Sequence, residues 1–337
     1  MMSAVDNTDA GEAVAFWTFG AGQGALRTEA LKAPGKSDVL VETIASGVSR
    51  GTETLIFQGL VPKSQYKKMR APFQEGDFSF PLKYGYSSIG RVVEGPKELR
   101  GERVFCLYPH QDRYVVPADK VLPVPKSVPS GRAVLAANME TALNALWDAP
   151  PRIGDRVAVI GCGVVGALVA RLAADHPGVQ VEMIDINSQK AAIARRLGLP
   201  FSRPDSAHPE ADLVIHASGH PEGLNTAFKI AGFEATILDL SWYGDREVTL
   251  PLGEDFHSRR LKLVSSQVGT IAPAMRSRRS HRDRLSLVLD MLVDERFDAL
   301  LTPARHFSQL PTIMAELIEG GDDVMCQVIA YRRKQQS

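Results

Sequence analysis

The stretch RVAVIGCGVVGALVARLAA, residues 156–174, limits what this chain can fold into more than any other. An apolar run of strand character leads straight into Gly161, Gly163 and Gly166 as G-x-G-x-x-G, and the apolar residues beyond recur at helical spacing. Strand, glycine turn and helix in that order suit a dinucleotide. The first glycine permits a tight turn, the second lets the backbone approach a pyrophosphate, and the third lets helix and strand pack closely, with the phosphates at the positive helix end. The acidic residue that completes the pattern is Asp185 in VEMIDIN, 24 positions after Gly161. Its carboxylate suits a ribose hydroxyl and repels a 2′-phosphate, so NAD is expected over NADP. Val164, Val165 and Ile186 are expected to line the same site. A glycine-rich turn that binds nothing is the alternative, and the register of strand, helix and acid weighs against it.

Around this loop, strand-like and helix-like runs alternate from RVAVIG to LKLVSSQ, as in a doubly wound parallel sheet covered by helices. Ligands in such sheets bind beyond the carboxyl ends of the strands. Ala217 and Ser218 after DLVI, and Ser241, Trp242 and Tyr243 after TILDL, are therefore expected to flank the cofactor, while His216 reads as a structural histidine. Residues 13–125 differ in character, with β-branched runs punctuated by Gly and Pro. RAVLAANMETALNALWDA then has helical spacing, and the tail alternates helix, short strand, helix and the strand MCQVIAY. The chain is thus expected to be α/β plus β, with joins near 128/129 and 289/290.

Composition narrows the partners. Among 337 residues, Lys plus Arg and Asp plus Glu both number 39, so no overall charge draws the chain to nucleic acid or membrane, and a small molecule is the expected partner. The polar start, MMSAVDNTDAGEA, lacks the parts of a signal peptide, and no apolar run approaches a bilayer span, so a cytoplasmic protein is expected. Cys106, Cys162 and Cys326 are too few and scattered for a disulfide framework. Cys162 reads as a small filler, and Cys106 with His110 lacks the third ligand of a metal site.

A β-rich first part, a helix, a nucleotide fold and a chain that returns to the first part resemble the medium-chain dehydrogenase/reductase superfamily of alcohol dehydrogenase and quinone reductase. The motifs that carry the likeness are SGVSRGTE, KYGYSSIGRVVEG, NMETALNAL and GCGVVG. The resemblance implies a GroES-like catalytic domain, 1–128 completed by 290–337, a Rossmann domain, 129–289, and a homodimer through the nucleotide domains. Zinc-dependent members carry a cysteine in the first motif, a His-Glu pair in the second and a cysteine before the third. Here those places hold Ser49, Tyr86 with Ser87, and Ala137 or Asn138, which are poor zinc ligands. The structural-zinc lobe is also absent, so a zinc-less branch is implied. SGVSRGTE is also similar to the corresponding stretch of bacteriochlorophyllide dehydrogenases.

Hydride transfer to a carbonyl leaves negative charge on oxygen, which something must stabilise where zinc would stand. Ser49, Thr52 and Tyr86 are the catalytic candidates. Bringing a phenol from its ordinary value to about 7 requires roughly 4 kcal/mol, for which Lys83 or Arg50 is the cation at hand in sequence; a tyrosine that merely fills the emptied metal site is the alternative. Arg50 follows the replaced cysteine and is implied to contact the pyrophosphate, and Glu53 to make a structural bond. Residues 58–81, with Lys63, Lys67, Lys68 and Arg70, read either as a lid favouring an anionic or bulky substrate or as a solvated face. The run at 275–284, containing Arg276, Arg278, Arg279, Arg282 and Arg284, reads as an exposed loop. Three functions remain in play: an NAD(H)-dependent alcohol/carbonyl oxidoreductase without zinc, an NAD(P)H-dependent quinone or enoyl reductase, and an inactive nucleotide-binding redox sensor.

Overall fold

The computed structural model describes residues 11–320 and 323–331. Residues 1–10, on which the reading of the chain's start largely rests, lie outside them. Two compact units are present, one ending at Leu135 and resuming at Leu301, the other spanning Ala136–Leu300.

In the first unit the 11-residue strand Asp38–Val48 is central. It pairs antiparallel with Ser88–Glu94, Arg113–Pro117 and Cys326–Ala330, and the last of these pairs parallel with Leu301–His306. The tail thereby completes a seven-stranded sheet, and a separate four-stranded sheet is built on the hairpin of Glu12–Gly20 and Gln23–Ala30. Val39 and Val41 of the central strand pack with Val92, Val104, Tyr114 and Val116. Full burial of each such aliphatic side chain contributes about 1.5–3 kcal/mol.

In the second unit six parallel strands lie in the order Phe201–Ser202, Gln180–Ile184, Arg156–Ile160, Ala211–His216, Ala231–Asp239, Lys262–Ser265. Numbered along the chain this is 3-2-1-4-5-6, the doubly wound order with its switch point between strands 1 and 4. Arg156–Ile160 and Gln180–Ile184 are buried at all but their first residue, as strands covered on both faces must be. The helix Val164–Ala174 is apolar on almost every side because it lies between this sheet and the helix Ala136–Asp148.

Three expectations are corrected. SGVSRGTE, whose two glycines and hydroxyl residues read as a turn in the sequence, is not one: Ser46–Val48 end the central strand, Ser49 is an N-cap, and Arg50–Phe57 is a helix. Small and hydroxyl residues suit a helix start as well as a turn. The units divide at 135/136 and 300/301, later than expected at both joins. The short helix Ser130–Ala133 packs on the central strand, whereas the helix His281–Met291 packs on Ala136–Asp148, so each stays with its packing partner. Finally, Arg284 is not exposed. It is 2 % exposed and donates from Nε to Glu140 at 3.0 Å and from its two terminal nitrogens to Asn144 Oδ1 and the Val268 carbonyl, each at 2.7 Å. Arg276, Arg278, Arg279 and Arg282 lie on the surface as expected.

Candidate functional site

The glycine loop occupies the switch point of the parallel sheet. Gly161 has φ +97°, and a Cβ there would stand 2.6 Å from Ser218 Cα and N. Only glycine allows the end of the first strand to lie against the end of the fourth. A Cβ on Gly166 would meet the Gly161 carbonyl oxygen at 1.9 Å, so helix and loop approach as closely as the motif requires. Gly163 is different. It caps the helix Val164–Ala174, is exposed, and has no atom within 4 Å of a would-be Cβ. The open side of the loop therefore lies above backbone N–H groups at a helix N-terminus, where anions are favoured. Val164 and Val165 are half-buried beside it.

Asp185 braces the same loop. Its Oδ2 accepts from the Cys162 N–H at 2.7 Å and its Oδ1 from the Asn187 N–H at 2.8 Å. A carboxylate offers about four lone-pair positions, so room remains for a sugar hydroxyl. Ile186 is 74 % exposed, an apolar side chain beside the acid with nothing covering it. Cys162 is buried, and burial with the Asp185 charge pushes its thiol well up, which suits a filler.

At the ends of the fourth and fifth strands the sequence reading located Ala217, Ser218 and Ser241 but missed what holds them. His216 is fully buried, with Nδ1 2.9 Å from Asp239 Oδ1 and Nε2 2.7 Å from Ser218 Oγ. Tyr243 donates to Asp239 Oδ2 at 3.0 Å, and the Ser241 N–H donates to Asp239 Oδ1 at 2.9 Å. Burial pushes the Asp239 carboxyl up, but the hydrogen bonds from His216, Ser241 and Tyr243 outweigh it and hold the group below the usual carboxylate range. The available signal was the polar residue ending each apolar run, His216 and Asp239. Their pairing depends on strand register, which sets His216 opposite Asp239.

The first unit brings together its own three candidates. The Tyr86 side chain hydrogen-bonds those of Ser49 and Thr52. Behind them Glu53, 4 % exposed, accepts from the Ser49 N–H at Oε1 and from His110 Nε2 at Oε2, both at 2.8 Å. His110 Nδ1 lies 2.7 Å from Ser46 Oγ, which is 3.0 Å from the Tyr331 hydroxyl. The structural bond expected of Glu53 is thus present, and His110 serves it instead of pairing with Cys106. Cys106 lies in an apolar cluster, its thiol pushed up to about 12 by burial. Among the described residues no group of three or more His, Cys, Asp or Glu comes together as metal ligands.

Lys83 is not the cation beside Tyr86. It is fully buried against Glu29 and Glu75, each at 2.5 Å, and Gln111 at 2.8 Å. Burial pushes the Tyr86 phenol well up, the Glu53 charge adds to that, and the bonds to Ser49 and Thr52 oppose it only in part. Tyr86 is therefore a neutral phenol at pH 7, shifted away from the value near 7 that a proton-sharing phenolate would require. Residues 58–81 hold to this region through aromatic contacts: Tyr66 with Phe78 at 5.5 Å, Phe78 with Tyr84 at 6.2 Å, Tyr84 edge-on to Tyr86 at 5.8 Å. Lys63, Lys67, Lys68 and Arg70 face solvent, with Arg70 bonded to the Gly76 and Gln74 carbonyls.

No family model matches the chain. Over 169 residues it is 30 % identical to the 2-desacetyl-2-hydroxyethyl bacteriochlorophyllide A dehydrogenase of Cereibacter sphaeroides, a match covering 44 % of this chain and 48 % of that protein. The chain spans about half the length of the curated relatives it matches. Solved structures match almost throughout. Acetophenone reductase of Geotrichum candidum, solved with NAD, superposes with a TM-score of 0.75 at 18 % identity, covering 97 % of this chain and 98 % of that one. The 2R,3R-butanediol dehydrogenase of Bacillus subtilis does so with 0.73 at 14 %, covering 95 % and 100 %. Other neighbours were solved with NADP or NADH.

Proposed function

We propose, on the premise that the chain has the fold of the medium-chain dehydrogenase/reductase superfamily and resembles its alcohol dehydrogenase-like members in sequence, that it is an NAD(H)-dependent oxidoreductase. It interconverts an alcohol and a carbonyl without catalytic zinc. The observation that carries this reading is the Gly161 loop braced by Asp185 at the switch point of a 3-2-1-4-5-6 sheet. Gly161, Gly163, Val164, Val165 and Gly166 receive the pyrophosphate. Asp185 takes the adenosine ribose beside Ile186, and Ala217, Ser218 and Ser241 take the nicotinamide half. When bound, the nicotinamide supplies or accepts the hydride.

The donors in the first unit do not fit zinc. Where thiolate and imidazole would be required, Ser49 and Tyr86 are hydroxyls already bonded to each other, and Ser87 donates to the Val134 carbonyl. A neutral phenol suits the alternative. Tyr86 donates a hydrogen bond to the carbonyl oxygen, stabilises the charge that develops there, and gives up its proton to an alkoxide far more basic than phenolate. Ser49 and Thr52 orient the phenol and stabilise the transient phenolate. The substrate is a small molecule; the bulky hydroxyethyl substrate named for one relative and the exposed lysines of 58–81 favour a large or anionic one. Leu263 and Val264 are uncovered on the edge strand Lys262–Ser265, which supports a homodimer through the nucleotide units.

The test is cofactor titration with and without chelator. NADH should bind at least about tenfold more tightly than NADPH, a difference of some 1.4 kcal/mol. Turnover of a carbonyl panel should survive exhaustive chelation. Stoichiometric zinc whose removal abolishes turnover, or a preference for NADPH, refutes the reading.

A further inference from the structure

The arginines of the run at 275–284 part company once the backbone is followed. The loop that leaves the sixth strand is tied to the buried Arg284 and Asn144: the Val268 carbonyl accepts from Arg284 at 2.7 Å, and the Ala272 N–H donates to Asn144 Oδ1 at 3.1 Å. From that anchor the chain makes two successive turns with helical hydrogen bonding. The Met275 and Arg276 N–H groups donate to the Ala272 carbonyl, at 2.8 and 3.1 Å, and those of Arg278 and Arg279 to the Met275 carbonyl, both at 2.9 Å. Residues three apart share a face of such a turn, and residues two apart do not. Arg276 and Arg279 accordingly line one cavity of about 360 Å³, with Thr270, Ile271, Ser280 and His281. Arg278 is not part of that wall, and its guanidinium donates to the Ala274 carbonyl at 3.0 Å.

The cavity has more positive charge than its own residues satisfy. Among the described residues, neither the Arg276 nor the Arg279 guanidinium has a hydrogen bond or salt bridge, and the Thr270 hydroxyl has no partner. His281 is fixed on the wall, its Nε2 donating to the Gly269 carbonyl at 3.2 Å. The carboxylate at hand, Asp283, is spent on the cap of the helix His281–Met291, where its Oδ2 accepts from the Ser280 N–H at 2.8 Å and from the Ser280 hydroxyl at 2.7 Å. Those bonds act on Asp283 more strongly than the Arg279 charge does. The helix start thus carries its own anion, and attraction for a ligand comes from the two arginines. Like charges on one wall repel, and an anion held between them relieves both. A guanidinium fork of planar N–H donors matches the paired oxygens of a phosphoryl group. The volume lies at the lower end of the roughly 300–1,000 Å³ typical of small-molecule sites, which leaves room for an organic group beside the buried Ile271.

We propose that this cavity binds a phosphoryl dianion, free or carried on a small organic ester, with Arg276 and Arg279 as the clamp and Thr270 as a further donor. The site shares no residue with the Gly161 loop, and its assignment does not rest on the dinucleotide reading.

Calorimetric titration of the full chain at about 0.15 M salt, where exposed charges farther apart than roughly 8 Å are largely screened, tests it with inorganic phosphate, glycerol 3-phosphate, glycerol and ADP-ribose. Phosphate and the ester should bind with Kd below about 10 mM, and glycerol should not bind. Arg276→Ala and Arg279→Ala should each weaken phosphate roughly three- to tenfold, modest for a charge-assisted bond because both side chains reach solvent, and should melt as the parent does. Arg278→Ala removes the same charge outside the cavity and should change binding less than about twofold. ADP-ribose should not displace phosphate. Tighter binding of the ester assigns the group to an organic phosphate and equal binding to the free ion; either upholds the site. Absence of saturable phosphate binding, or an Arg278→Ala effect as large as that of Arg276→Ala, overturns the proposal. So does displacement of phosphate by ADP-ribose, which would give the two arginines to the dinucleotide.

Discussion

Replacing Arg284 by Met should destabilise the nucleotide unit in a way that depends on pH with a defined sign. The guanidinium satisfies Glu140, Asn144 and the Val268 carbonyl in a buried setting, and Asn144 Oδ1 also accepts from the Ala272 N–H at 3.1 Å. Removing one partner of a buried pair costs about 3–5 kcal/mol. Burial already pushes the Glu140 carboxyl above its ordinary value, against the opposing charge and hydrogen bond of Arg284 and a smaller effect of His281. Without Arg284 it rises further. A carboxyl raised in the folded state binds its proton more readily there than in the unfolded chain. Stability is therefore greatest below the unfolded value and falls as pH rises toward the folded one, by about 1.4 kcal/mol per pH unit. The cost of Arg284→Met should thus be small near pH 5 and approach its full size by pH 8. With a melting shift of about 2–4 °C per kcal/mol for a unit of this size, the variant should melt roughly 6–20 °C below the parent at pH 8. Scanning calorimetry of both proteins across pH 5–8 measures it. A penalty that is flat with pH, or larger at pH 5, refutes the account of Glu140.

The three loop glycines should respond differently to alanine. Gly161→Ala and Gly166→Ala place a Cβ within 2.6 Å and 1.9 Å of backbone and should lower the melting temperature and abolish NADH binding, whereas Gly163→Ala should fold as the parent and weaken NADH only, read by nucleotide fluorescence. Tyr86→Phe should lower kcat for carbonyl reduction by about 10²–10³ with a smaller change in KM. Because burial and Glu53 push the Tyr86 phenol up, the parent's kcat/KM should show no tyrosine inflection below pH 9; one near pH 7 would contradict the structure.

Sequence made the parallel sheet legible because its strands are uninterrupted apolar runs and its glycine loop has one stereochemical purpose. It misjudged SGVSRGTE because the residues that start a helix are the residues that make a turn, and only Glu53, reaching back to the Ser49 N–H, distinguishes them. Arg284 is one of several arginines in a short run, and composition gives no reason to bury that one. Its partners, Glu140 and Asn144, lie about 140 positions earlier in the chain. Lys83 failed for the same reason: proximity to Tyr86 along the chain says nothing about Glu29 and Glu75 across a sheet. The likeness grouped Ser49, Thr52 and Tyr86, whose side chains do hydrogen-bond, because a family motif encodes three-dimensional neighbours that local pattern does not.

Glu53 keeps both oxygens engaged, one on the Ser49 backbone and one on His110. It works as a mount. The carboxylate fixes where the helix Arg50–Phe57 begins, while the side chains displayed at 49 and 52 take no part in holding it. Chemistry at those two positions can then be exchanged, thiol for hydroxyl or hydroxyl for hydrogen, without moving the backbone that presents it. Shortening the mount by one methylene, as Glu53→Asp would, leaves only one of its two anchors within reach.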